Sequence, residues 1–110
     1  MERSQISAIH TKLWNFSCRS LNGLIRLYKL SLEVEEAISF IESKLATTDE
    51  ELKVQRRHFK KCQESLNSWI QYPRHKGFHY VGFDAAHDFS NILRSFDRAA
   101  DKQNIWKKEH

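Results

Sequence analysis

The chain has 110 residues, 40% of them apolar and 29% charged, with three glycines, one proline and a formal net charge of +4. Residues 1–110 fit a single helical domain whose folded surface is about 6,400 Å² against roughly 19,000 Å² unfolded, enough burial for a core and too little for two domains. The composition excludes collagen-like, low-complexity and disordered chains. No run approaches the ~18 apolar residues of a membrane span, and Met1 to Ser4 lead into no apolar leader block, so a soluble, cytoplasmic protein with no membrane partner is expected.

The first predicted element is a helix over 4–29, in which Ile6, Ile9, Leu13, Phe16, Leu24, Leu27 and Tyr28 recur at helical spacing. Gly23 weakens its middle, and Ser31 followed by Glu33, Glu35 and Glu36 reads as the N-cap of a second helix over 32–46. One long helix with Ser31 as a polar core position stays open, because Leu24, Leu27, Ser31, Val34, Ile38, Ile41 and Leu45 keep a seven-residue register across that point. Thr48 with Glu51 forms a capping box that starts a third helix over 48–71. Its seam Leu52, Gln55, Phe59, Cys62, Leu66 and Trp69 matches the preceding helix, so residues 32–71 make a helical hairpin with a turn at Ala46 to Thr48. Pro73 ends that helix. Residues 72–83 form an irregular or extended loop with a short aromatic run, and Asp84 caps a last helix over 84–106 with the stripe Ala86, Phe89, Leu93, Phe96 and Ala100. The tail Lys107 to His110 is expected to fray. The fold class is all-α, an antiparallel bundle of three or four helices built round the hairpin. Its seams are narrow enough that a homodimer sharing them stands beside a closed monomer.

The charge is split. Residues 31–51 carry seven acids (Glu33, Glu35, Glu36, Glu42, Asp49, Glu50, Glu51) against Lys44, and residues 53–76 carry seven bases (Lys53, Arg56, Arg57, Lys60, Lys61, Arg74, Lys76) against Glu64. Adjacent opposite blocks describe two antiparallel helices facing each other or a surface for a partner. Nucleic acid is the sharper reading, with Arg56, Arg57, Lys60 and Lys61 as a basic stripe opposite the apolar seam, extended by His75 and Lys76. On the last helix Asp84, Asp88, Asp97 and Asp101 alternate with Arg94, Arg98 and Lys102 and read as surface pairs four residues apart.

Cys18 and Cys62 form no Cys-x-x-Cys pair and read as half-buried thiols on helices. Six histidines show neither His-Glu-x-x-His nor finger spacing, so no metal and no cofactor are expected. Trp69, Tyr72, Phe78, Tyr80 and Phe83 round the basic loop would make an aromatic, cationic patch suited to a protein partner or to stacking on bases; the alternative is that Trp14 and Trp69 are core and Tyr80 is partly exposed.

Arg74 and His79, in Arg74-His75-Lys76-Gly77-Phe78-His79, give an Arg-x4-His spacing between the third and last helices. This resembles the HEPN family of small, usually dimeric helical bundles, many of them metal-independent ribonucleases. The resemblance implies His79 as general base on a ribose 2′-hydroxyl and Arg74 as the holder of the scissile phosphate, chemistry suited to an imidazole and a guanidinium. Phe78 to Ala86, with Gly82-Phe83-Asp84 entering a helix, is similar to a stretch of the bacterial YfbU family, which implies that Gly82 lets the chain turn and Asp84 caps the helix. No other enzyme motif is present. The sequence thus reads as a small helical binding or regulatory protein, of accessory, immunity, antitoxin or inhibitor type, acting by contact with another macromolecule. A HEPN-type endoribonuclease or inactive RNA-binding relative, and direct DNA binding, are the alternatives.

Overall fold

Among the described residues four helices follow one another: α1 (Arg3–Trp14), α2 (Leu21–Lys44), α3 (Glu50–Gln71) and α4 (Phe78–Lys102). The computed structural model describes residues 1–73 and 77–106, and the expected fraying of Lys107 to His110 lies outside them. No strand occurs among the described residues, and the architecture is an all-α helical bundle.

The two long helices α2 and α4 lie side by side and run the same way. Cys18, just before α2, sits against Gly82 near the start of α4, and Phe40 stacks on Trp106 towards the other end. The remaining helices run antiparallel to this pair on either side. His10 meets Ser90 and Arg3 meets Asp97, which sets α1 on α4; Phe59 meets Phe89 and Trp69 meets Phe78, which sets α3 on α4. Among the described residues α1 and α3 do not pack on each other. The bundle is therefore flattened along its α2–α4 diagonal, 54 × 26 × 16 Å, with an accessible surface of 7505 Å², larger than the ~6,400 Å² of a rounder chain of this mass.

Burial explains why these segments hold together. Leu24, Leu27, Val34, Ile38 and Ile41 of α2 and Phe89, Leu93 and Phe96 of α4 are fully shielded, each stabilising the fold by about 1.5–3 kcal/mol. The predicted α3 seam supplies Leu52, Phe59 and Leu66 to the same core, with Cys62 and Trp69 half-buried at its edge. Ile6, Ile9 and Leu13 of α1 close the other side. The helical seams are thus covered within one chain.

The starts of α2, α3 and α4 differ from expectation, each for a local reason. The break falls at 15–20, and α2 runs unbroken through 30. Ser31 is fully buried, donating to Tyr28 O at 2.6 Å and accepting from Gln63 Nε2 of α3 at 3.1 Å, so it is the polar core position of one long helix and Ser20 is the N-cap. Gly23 does not interrupt a helix; a Cβ there would lie 2.7 Å from Cys18 Sγ. Cys18 itself is buried in the α1–α2 connection, off any helix, where its thiol donates to Ser20 O. At α3 the cap is Asp49, one residue later than the Thr48 capping box: its carboxylate accepts from Leu52 N at 2.9 Å, the stronger, charged form of the same bond. The turn before α3 is clipped by Gln103, the C-cap residue of α4, which accepts from Ala46 N at 2.7 Å and donates to Thr47 O at 2.9 Å.

The largest difference is at α4, which starts at Phe78, six residues before the predicted Asp84 cap, so half of the expected 72–83 loop is helix. Gly77, at φ 104, makes the turn into the helix in the left-handed region that favours glycine. Gly82 lies inside the helix and leaves room for Cys18, whose Cβ would be 2.6 Å from a Gly82 Cβ. Residues 78–83 helicise because Phe78, Val81 and Ala85 extend the α4 stripe against the core.

Candidate functional site

The charge blocks meet in part across the α2–α3 hairpin. Arg56 pairs with Glu42 at 3.4 Å and Glu35 at 3.9 Å, approaches Ser39 Oγ at 3.4 Å, and lies over the Phe59 ring at 5.8 Å. One of the four predicted stripe residues is thus a clasp between helices. Arg57, Lys60 and Lys61 stand exposed on α3. The carboxylates of α4 also reach across: Asp97 and Asp101 pair with Arg3 of α1 at 4.0 and 3.0 Å, and Asp88 receives the Cys62 thiol of α3, where sequence spacing had suggested pairs along α4.

Of the loop residues, Arg74, His75 and Lys76 lie outside the described residues, so the Arg74–His79 pair has no measured geometry. His79 is exposed in the first turn of α4, its ring edge-on to Tyr80 at 5.6 Å. The aromatic patch divides. Trp69 is half-buried, edge-on to Phe78 at 6.4 Å and packed beneath Gly77, and so holds the α3–α4 corner. Tyr72 and Tyr80 are both 73% exposed.

The feature that stands out most is not among the residues expected from the sequence. Trp14, expected in the core, is 77% exposed at the end of α1, and Phe83 on the facing part of α4 is 62% exposed. Phe83 stacks on His87, centroids 6.3 Å apart and rings within 5° of parallel. Between them runs a cleft of about 250 Å³ lined by Leu13, Trp14, Phe16, Phe83, Ala86, His87 and Ser90. Tyr80, Phe83 and His87 follow i, i+3, i+7 spacing and lie along one face of α4. A sequence signal existed: Trp14 lies one residue off the Ile6-Ile9-Leu13 stripe, and only the stripe is buried.

A polar cleft of about 380 Å³ adjoins at Trp14 and Ser90, with His10, Arg94 and Asp97 among its walls. His10 Nδ1 lies 3.3 Å from Ser90 Oγ. Burial lowers the His10 pKa, Asp97 opposes this, and Arg94 adds to it. A second unanticipated cluster sits on the far side of α4, where Cys62 Sγ is 3.7 Å from His58 Nε2 and 3.8 Å from Asp88 Oδ2. Burial first, and then the Asp88 carboxylate, push the Cys62 thiol up to about 11.

Comparison of the chain with protein-family models, with curated proteins and with solved structures finds no match. No helix among the described residues is long and apolar enough to cross a membrane. Function is therefore read from the site.

Proposed function

We propose that this chain is a binding protein that takes a protein partner on the α1–α4 face, through Trp14, Phe83 and Tyr80. The observation that carries this reading is that Trp14, Tyr80 and Phe83, 62–77% exposed, are three of the four most exposed large hydrophobic side chains among the described residues, Tyr72 being the fourth. Exposed tryptophan and tyrosine beside a preformed apolar cleft are the composition of interface anchors, and the cleft beside Trp14 is the size of one or two apolar side chains. The reading belongs with an accessory, immunity, antitoxin or inhibitor role, in which contact is the activity.

A second reading, a HEPN-type ribonuclease or inactive RNA-binding relative, is favoured by one feature, the exposure of His79 at the start of α4. Among the described residues of the predicted stripe, direct DNA binding keeps Arg57, Lys60 and Lys61 as an exposed track, since Arg56 is engaged with α2.

One experiment separates the protein-contact reading from the two nucleic-acid readings. Tagged wild type is compared with Trp14→Ala/Phe83→Ala and with Arg57→Glu/Lys60→Glu/Lys61→Glu for capture of protein and of nucleic acid from cell extract. The reading predicts a protein species lost from the aromatic variant and retained by the charge variant. Loss from the charge variant alone, or recovery of nucleic acid without protein, overturns it.

A further inference from the structure

His58 and Cys62 of α3 and Asp88 of α4 each bring a donor atom within 4.8 Å of the other two. We propose that this cluster is a binding site for a divalent transition-metal ion of the zinc type, held by the His58 imidazole, the Cys62 thiolate and the Asp88 carboxylate, with a fourth position open to solvent.

The spacing carries the proposal. Zinc bonds of about 2.3 Å to sulfur and about 2.0–2.1 Å to nitrogen or oxygen, at tetrahedral angles, put donor atoms roughly 3.3–3.6 Å apart. Cys62 Sγ stands 3.7 Å from His58 Nε2 and 3.8 Å from Asp88 Oδ2, and all three donors lie within 4.8 Å of one another, so side-chain rotation on fixed helices draws the imidazole and the carboxylate together round an ion beside the sulfur. The backbone holds it ready. His58 and Cys62 are four apart on one face of α3, and the Phe59–Phe89 contact, ring centroids 5.4 Å apart, fixes the register that faces Asp88 towards them. Ligands mounted on two packed helices are held more rigidly than ligands on loops.

The donor set selects the ion class. Thiolate, imidazole and one carboxylate suit zinc, cobalt and nickel, and not magnesium or calcium, which prefer all-oxygen sites. Half-buried Cys62 and Asp88 give shelter, and exposed His58 gives an entry path. Binding replaces the thiol S–H by an S–metal bond and releases one proton to solvent, with no change of oxidation state. Three protein ligands leave room for a water or an external ligand, as in zinc sites that are not fully closed. The third ligand stands 26 residues beyond Cys62 on another helix, outside any local ligand spacing.

The test is a cobalt(II) titration of the reduced, metal-free full chain. Expected are saturation at one equivalent, the strong visible bands of tetrahedral cobalt, a thiolate-to-cobalt band in the near ultraviolet, and displacement of both by zinc. Cys62→Ser removes the near-ultraviolet band. The near-isosteric Asp88→Asn, with unchanged helical circular dichroism, weakens cobalt binding at least tenfold, and decides the matter if the cysteine variant folds poorly. Absence of the bands in wild type, a near-ultraviolet band that survives Cys62→Ser, or cobalt affinity unchanged by Asp88→Asn overturns the proposal.

Discussion

Cys18 and Gly82 are fitted to each other: a Cβ on Gly82 would stand 2.6 Å from Cys18 Cβ, closer than real side chains pack. This contact lets the α1–α2 connection sink against α4 and turns α1 back along the bundle. Gly82→Ala therefore destabilises the protein, by roughly 1–3 kcal/mol from overpacking, against the ~1 kcal/mol that alanine ordinarily gains over glycine inside a helix. Urea unfolding checks it, with exposed Asn91→Ala as the control within about 0.5 kcal/mol of wild type. A stabilised Gly82→Ala would show that the connection does not pack this way.

Arg56 and its neighbours Arg57, Lys60 and Lys61 look alike in sequence and should behave differently. Arg56→Ala costs about 1 kcal/mol, the sum of weak, solvent-screened ion pairs and lost packing over Phe59. Arg57→Ala, Lys60→Ala and Lys61→Ala stay within about 0.5 kcal/mol. Thermal unfolding at low and high salt reads both, with the Arg56 effect shrinking at high salt.

How much of this was legible in the sequence depends on whether a residue's role is set by its own helix or by another. The all-α class, the α2–α3 hairpin and the seam Leu52, Phe59 and Leu66 follow from periodicity alone, because one face of each helix must be covered. The long α2 was visible as an alternative, since Ser31 sat in register; its partner Gln63, 32 residues on, was not. Glycine misled at Gly23 and Gly82 because a helix-weakening glycine and a close-packing glycine look the same until the neighbour is known, and both neighbours are Cys18. The cluster His58, Cys62 and Asp88 and the cleft between Trp14 and Phe83 were hidden for the same reason, as each joins two helices.

His10 gives a pH dependence with a definite sign. Burial, with help from Arg94 and against Asp97, lowers its pKa below 6.5, so the unfolded chain takes up the proton first. Its contribution is complete above about pH 6.5 and is lost as pH falls through the lowered folded value. His10→Gln should flatten the stability profile in that acidic window, and denaturant midpoints measured across it provide the check. An unchanged profile would mean that His10 titrates freely.

The three tryptophans should separate by accessibility. Trp14 is 77% exposed, whereas Trp69 and Trp106 are half-buried. Trp14→Phe removes most of the acrylamide-quenchable fluorescence, and Trp69→Phe removes little. The reverse would place Trp14 in the core and dissolve the proposed face.

His79 decides between contact and catalysis on RNA. Incubation with mixed-sequence RNA in EDTA, comparing wild type, Arg74→Ala and His79→Ala at matched thermal stability, is expected to show no cleavage that depends on either residue. Cleavage lost in both variants would establish the ribonuclease reading.

The most direct measurement is site-resolved photo-crosslinking in the cell, with a benzophenone amino acid placed at position 14, at position 83 and, as a control on the far helix, at position 61. The proposed interface predicts discrete protein adducts of the same partner from positions 14 and 83 and none from position 61. Adducts from position 61 alone, or none from positions 14 and 83, would contradict it.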